Sequence, residues 1–198
     1  MAKNTTIIDE MTASARGVVA LLIGDKRAVG YFDFSQRGLA GSFIVMLFLV
    51  GFQAGMSMLV GGSPPSLSVY REVTILVAGV GSSMAATAMF LRQIGRLDRF
   101  APYLTAHNWA TFFMVVTATV LLLIGFPPSI ILLALFAGGL TAHINIGRLL
   151  VELSPLQIFV LFVVQVIGVL IGLVVYGIIL PLSPAEILAI TGASSPPA

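Results

Sequence analysis

The stretch that decides the fold is Tyr103–Gly147, YLTAHNWATFFMVVTATVLLLIGFPPSIILLALFAGGLTAHINIG. Two apolar runs flank Phe126-Pro127-Pro128-Ser129, so the segment reads as two helices folded back at a tight turn. The chain's two histidines, His107 and His143, lie with Asn108 and Asn145 near the open end of that hairpin. Folding at Pro127-Pro128 brings the histidines to within about one helical turn of the same depth, at roughly 1.5 Å per residue. These four residues form the candidate polar or ligand site.

Composition bounds the rest. Of 198 residues, 58% are hydrophobic and 9% charged, with a mean hydropathy of +1.07. A soluble domain carries about 25% charged residues, so lipid is the natural solvent here. There is no cysteine, which excludes a disulfide framework, a thiol nucleophile and a thiolate metal site. Asp9 and Glu10 interrupt the N-terminal segment, which lacks the compact apolar core and cleavage site of a secretory signal and is expected to be retained.

The expected fold is an all-α membrane protein: five transmembrane helices preceded by an N-terminal amphipathic interfacial helix. Residues 1–37 make the N-terminal segment, 38–180 the transmembrane domain and 181–198 a short external tail. In the segment 5–23, Ile7, Ile8, Met11, Ala15, Val18, Val19 and Leu22 share an arc of about 120° at 100° per residue. That face suits either the headgroup plane or the protein's own bundle. The aromatic–charged run Tyr31–Arg37 suits the membrane–water interface.

The spans are expected at about 38–60, 73–91, 102–125, 129–147 and 156–180. Small residues mark helix-packing positions: Gly51 and Gly55 in the first span, Gly138 and Gly139 in the fourth, Gly168 and Gly172 in the fifth. The middle of the second span (Gly79, Gly81, Ser82, Ser83, Ala85, Ala86) is small-sided and also reads as a packing surface. Gln53 is expected to face another helix and Trp109 to sit in an aromatic belt, and the fifth span carries Gln165 as its strong polar residue.

Charge sets the orientation. Lys3, Arg16, Lys26, Arg27 and Arg37 precede the first span, Arg92, Arg96 and Arg99 follow the second, and Arg148 follows the fourth; only Arg71 falls on the other side. Positive-inside then places the N-terminus in the cytoplasm and the C-terminus outside.

All eight acidic residues lie outside the spans, which argues against a proton or cation relay. No paired carboxylates, H-E-x-x-H, G-x-S-x-G or phosphate-binding loop is present, so no enzyme activity is expected. No metal site is expected either, since two histidines fall short of the roughly four ligands zinc takes. The simplest expectation for His107, Asn108, His143 and Asn145 is hydrogen bonding across the hairpin and to the loops near Arg99 and Glu152. A quinone headgroup or a haem held between His107 and His143 stays open as an alternative.

Two stretches carry a family likeness: Asp33-Phe34-Ser35-Gln36-Arg37-Gly38-Leu39-Ala40-Gly41-Ser42-Phe43 and Arg99-Phe100-Ala101-Pro102-Tyr103-Leu104-Thr105-Ala106-His107-Asn108-Trp109-Ala110. With five spans, a cytoplasmic N-terminus and an outward C-terminus, the layout resembles small bacterial polytopic proteins near the Yip1 domain family. The acidic Tyr-Gly-Pro type motif of the eukaryotic members is missing, so their binding of small GTPases is not carried over. The resemblance implies a non-enzymatic membrane organiser and names no site. The leading expectation is therefore an accessory or scaffolding protein whose partners are the lipid bilayer and other membrane proteins or a second copy, not nucleic acid. A small transporter or channel subunit is the alternative.

Overall fold

The computed structural model describes residues 6–61 and 67–181, with the backbone alone for 53, 54, 56–61 and 67–72. Every regular element in it is helical: α1 (Ile7–Leu22), α2 (Gln36–Gly61), α3 (Leu67–Gln93), α4 (Phe100–Leu123), α5 (Pro128–Leu149) and α6 (Pro155–Ile179), with short 3-10 turns at Lys26–Tyr31 and Leu97–Arg99. Boundaries follow local chemistry. Thr6 and Asp9 close a capping box at the start of α1, and Ser154 and Gln157 do the same for α6, where Pro155 fills the first helical position.

Three helices stop in the same way. Gly24, Gly95 and Gly125 take φ of +73°, +71° and +86°, and the next residue donates back to the helix: Asp25 to Ala20 O, Arg96 to Leu91 O and Phe126 to Leu121 O. After α5 the left-handed position is held by Glu152, at φ +60°.

Among the described residues four helical stretches are long and apolar enough to cross a membrane: Val73–Gln93, Leu97–Leu123, Pro128–Leu149 and Pro155–Ile179. In α2 the apolar stretch with described side chains, Gln36–Phe52, is shorter. The expected side-chain role of Gln53, the turn at 62–66 and the tail beyond Pro181 lie outside the described residues.

The expected hairpin forms. His107 lies 16 residues before the end of α4 and His143 lies 15 after the start of α5, which sets both roughly 23 Å along the helix from the turn. α4 packs on α5 along one side and on α2 along another, while α6 pairs chiefly with α3. At the end away from the Pro127-Pro128 turn, Arg96 Nη1 and Arg99 Nη2 each reach a different oxygen of Glu152 at 3.2 Å. There too Arg148 Nη2 donates to Gly24 O at 3.5 Å. The end of α1, the α3–α4 link and the α5–α6 link therefore gather at one end of the bundle.

Two expectations are corrected. Trp109 is buried, 1% exposed, with its ring stacked 5.8 Å from Phe113 and edge-on to Phe112. It lies where α4 faces its neighbours, so its apolar ring fills core and not an interfacial belt. Phe32, read as interfacial, packs inward: a Cβ on Gly17 would stand 2.8 Å from its ring.

α1 uses two faces. It meets α4 and α5, and its buried residues include Ser14, Gly17, Val18 and Leu21, with Gly17 turned to Phe32 and Tyr31. Of the expected apolar arc only Val18 is buried; Ile7, Ile8, Met11 and Val19 remain exposed.

Candidate functional site

The four polar residues of the hairpin do not bond to one another. Each reaches, or faces, a different neighbour of the hairpin. Asn108 Nδ2 donates to Ser42 Oγ at 3.1 Å, tying α4 to α2, and that hydroxyl donates onward to Leu39 O at 2.8 Å. Asn145 Nδ2 donates to Leu21 O at 2.7 Å, so α5 adds a second donor to a carbonyl in the last turn of α1 that also accepts from Gly24 N. His143 meets Ile158 O at 3.4 Å, tying α5 to α6, with Phe162 edge-on at 5.7 Å. A carbonyl only accepts, so this contact makes His143 Nε2 the protonated nitrogen.

His107 behaves differently. Its ring stacks on Tyr103 at 5.7 Å and 11°, and it makes no hydrogen bond with any described residue. It lines a cavity of about 200 Å³ between α3, α4 and α6. His143 lines another, of about 560 Å³, with Arg148 and Phe162. The expected cross-hairpin network thus becomes three separate ties and one unpaired ring. Three of the four polar groups find their partner on a helix outside the hairpin.

Sequence reasoning missed the group around His107. Gln165 Nε2 donates to Thr87 Oγ1 at 3.1 Å and also to Tyr103 Oη, and Thr87 Oγ1 donates to Ser83 O at 2.9 Å. The signal for Gln165 was legible, because a lone amide in an apolar helix needs a partner. Its partners were not, because Tyr103 and Thr87 lie on two other helices at no fixed spacing from it.

Glycines make the α3–α6 contact possible. A Cβ on Gly172 would stand 2.4 Å from Ala78 O, and one on Gly168 2.9 Å from Ser83 Cα. Those two glycines, and the small face of α3 built from Ala78, Ser82, Ser83 and Ala86, form one seam. On α2 the other pair is bare: a Cβ on Gly51 or Gly55 meets nothing described within 4 Å. Gly139 is equally open, and Gly138 faces Met114 Sδ at 3.4 Å.

Among the described residues no three His, Cys, Asp or Glu side chains are grouped to hold a metal ion. No protein-family model, curated protein or solved structure matches the chain.

Proposed function

We propose that this chain is a five-span integral protein of a bacterial inner membrane, N-terminus cytoplasmic. In this reading it serves without catalysis as an accessory or scaffolding subunit, binding another membrane protein or a second copy of itself. The observation that carries it is the bare glycine pair Gly51/Gly55 on α2, beside a bundle whose other Gly-x-x-x-Gly is filled from within by α3. Backbone approach at such a face is what holds helices together in lipid, where no hydrophobic force acts between them. α2 has 26 residues, about 39 Å at 1.5 Å each, which suffices for a hydrocarbon core of roughly 30 Å.

The fate of the polar groups supports the same reading. Asn108, Asn145, His143 and Gln165 are each spent on fixing one helix to another. A transport path needs polar groups free to face a solute. Orientation follows the cations: Arg96, Arg99 and Arg148 sit at the end where α1 closes, and positive-inside makes that end cytoplasmic. The exposed Ile7, Ile8, Met11 and Val19 of α1 then lie against the cytoplasmic leaflet. The likeness to the Yip1 domain plan agrees with this layout.

The test is purification from native membrane in mild detergent, with mass spectrometry on the same fraction. Stoichiometric partner subunits or a dimer, lost in Gly51→Leu/Gly55→Leu, are the expected result. A monomer without a partner overturns the reading. Solute flux above empty vesicles in proteoliposomes would replace it with the transporter alternative.

A further inference from the structure

In the cavity between α3, α4 and α6, polar side chains from three helices converge on unfilled space. Tyr103, His107, Gln165, Ser83 and Thr87 all line it, and no charged residue does. His107 is the decisive member. A neutral imidazole always carries one N–H and one lone pair, and neither has a partner among the described residues. The residue is part-buried and its ring borders open space. The adjoining space suits a group that can accept from, or donate to, that ring.

The size and access of the cavity narrow the choice. An apolar cavity of roughly 150 Å³ accepts benzene, so about 200 Å³ has room for a six-membered ring. Val80 and Val169 line it as well, and they are 36% and 37% exposed, so the rim reaches the surface within two spans. On the membrane reading proposed above, that surface is hydrocarbon and a ligand arrives from the bilayer. Neutral lining selects an uncharged headgroup, because a phosphate or ammonium would be buried without a counter-charge. Tyr103 and His107 offer hydrogen-bond donors, which fit carbonyl oxygens, while Gln165, its two N–H groups given to Thr87 and Tyr103, leaves the Tyr103 hydroxyl hydrogen free to point at the ligand.

We propose that this three-helix cavity is a binding site for the neutral, carbonyl-bearing ring of a lipid-soluble molecule of the quinone class, with His107 as the main hydrogen-bonding residue and the tail leaving between Val80 and Val169. The site differs from one shared by His107 and His143, since His143 lines another cavity.

Decylubiquinone is the probe, titrated into the intact protein in detergent and read by quenching of Trp109, the chain's one tryptophan. Expected are saturable quenching, a weakening of about ten-fold in His107→Leu and in Gln165→Leu, and loss in Val80→Trp, which fills the half-exposed rim without opening the core. A decyl-chain alkylbenzene should show only unsaturable partitioning. Absence of a saturable component in the wild type overturns the site, as does equal binding of the alkylbenzene, or wild-type binding by both His107→Leu and Val80→Trp. Resistance to alkaline extraction is scored on the same membranes. Its loss would count against the spans themselves and is separable from a failure of the cavity.

Discussion

The two Gly-x-x-x-Gly pairs of this chain have the same spacing and opposite fates. Gly168 and Gly172 of α6 are buried against the backbone of α3, whereas Gly51 and Gly55 of α2 look onto nothing described. What differs is the neighbour. α3 carries Ala78, Ser82, Ser83 and Ala86 on the face that meets α6, so two small surfaces close on each other. α2 meets α4 through a different edge, where Ser42 and Asn108 bond. A glycine pair thus marks where a backbone can approach, and only the partner's face decides whether it is used inside the molecule or offered outside it.

The sharpest way to break this contrast is Gly172→Leu. Even one added Cβ would stand 2.4 Å from a backbone oxygen, so the α3–α6 seam must part. The expected loss is about 3 kcal/mol or more, read as a lowered thermal midpoint in detergent. Gly51→Leu is its counterpart: stability within about 0.5 kcal/mol of wild type, with any change confined to association. Equal destabilisation by both would erase the distinction.

Next in size is Asn145→Leu, which strips a buried donor from Leu21 O. Leu21 O keeps its bond from the Gly24 N–H, so about 0.5–1.5 kcal/mol of the docking of α1 should go, and trypsin should cut faster at Lys26 and Arg27. Breaking the ion pairs of Glu152 with Glu152→Gln should cost under about 1 kcal/mol, because both partners are well exposed and screened. Tryptic cutting in the 92–102 link would report it.

The smallest effect concerns pH. Burial, helped by Asp33 and opposed by Arg37, raises the Glu10 carboxyl above its ordinary value of 4.5. A raised folded value means the folded state holds the proton more tightly. Its contribution is complete below about 4.5 and is lost as pH rises through the folded value. Hydrogen exchange in α1 should therefore speed up modestly between pH 4 and neutrality, beyond the intrinsic rise of exchange with pH, and Glu10→Gln should remove that excess. An unchanged slope in the variant would assign the effect elsewhere.

The helices themselves were legible in the sequence. Apolar runs, Pro127-Pro128, Pro155 and the glycines after α1, α3 and α4 fix where each begins or ends, because those are local backbone preferences. The hairpin and the common depth of its histidines followed from chain length alone. Trp109 and Phe32 were misplaced because an aromatic ring is equally at home in an interface and in a core, and only the neighbours distinguish them.

What the sequence determined by itself is the class of solvent, the number and limits of the helical elements and the gathering of cations toward one end. These depend on composition and on contacts a few residues apart. Tertiary structure alone decided which glycine pair is filled, which helix each polar group of the hairpin holds, and that His107 faces a cavity with Tyr103 and Gln165. The physical reason is that a polar or small side chain inside a bundle only specifies that it needs a close partner. Which of several helices supplies it depends on how all of them pack at once.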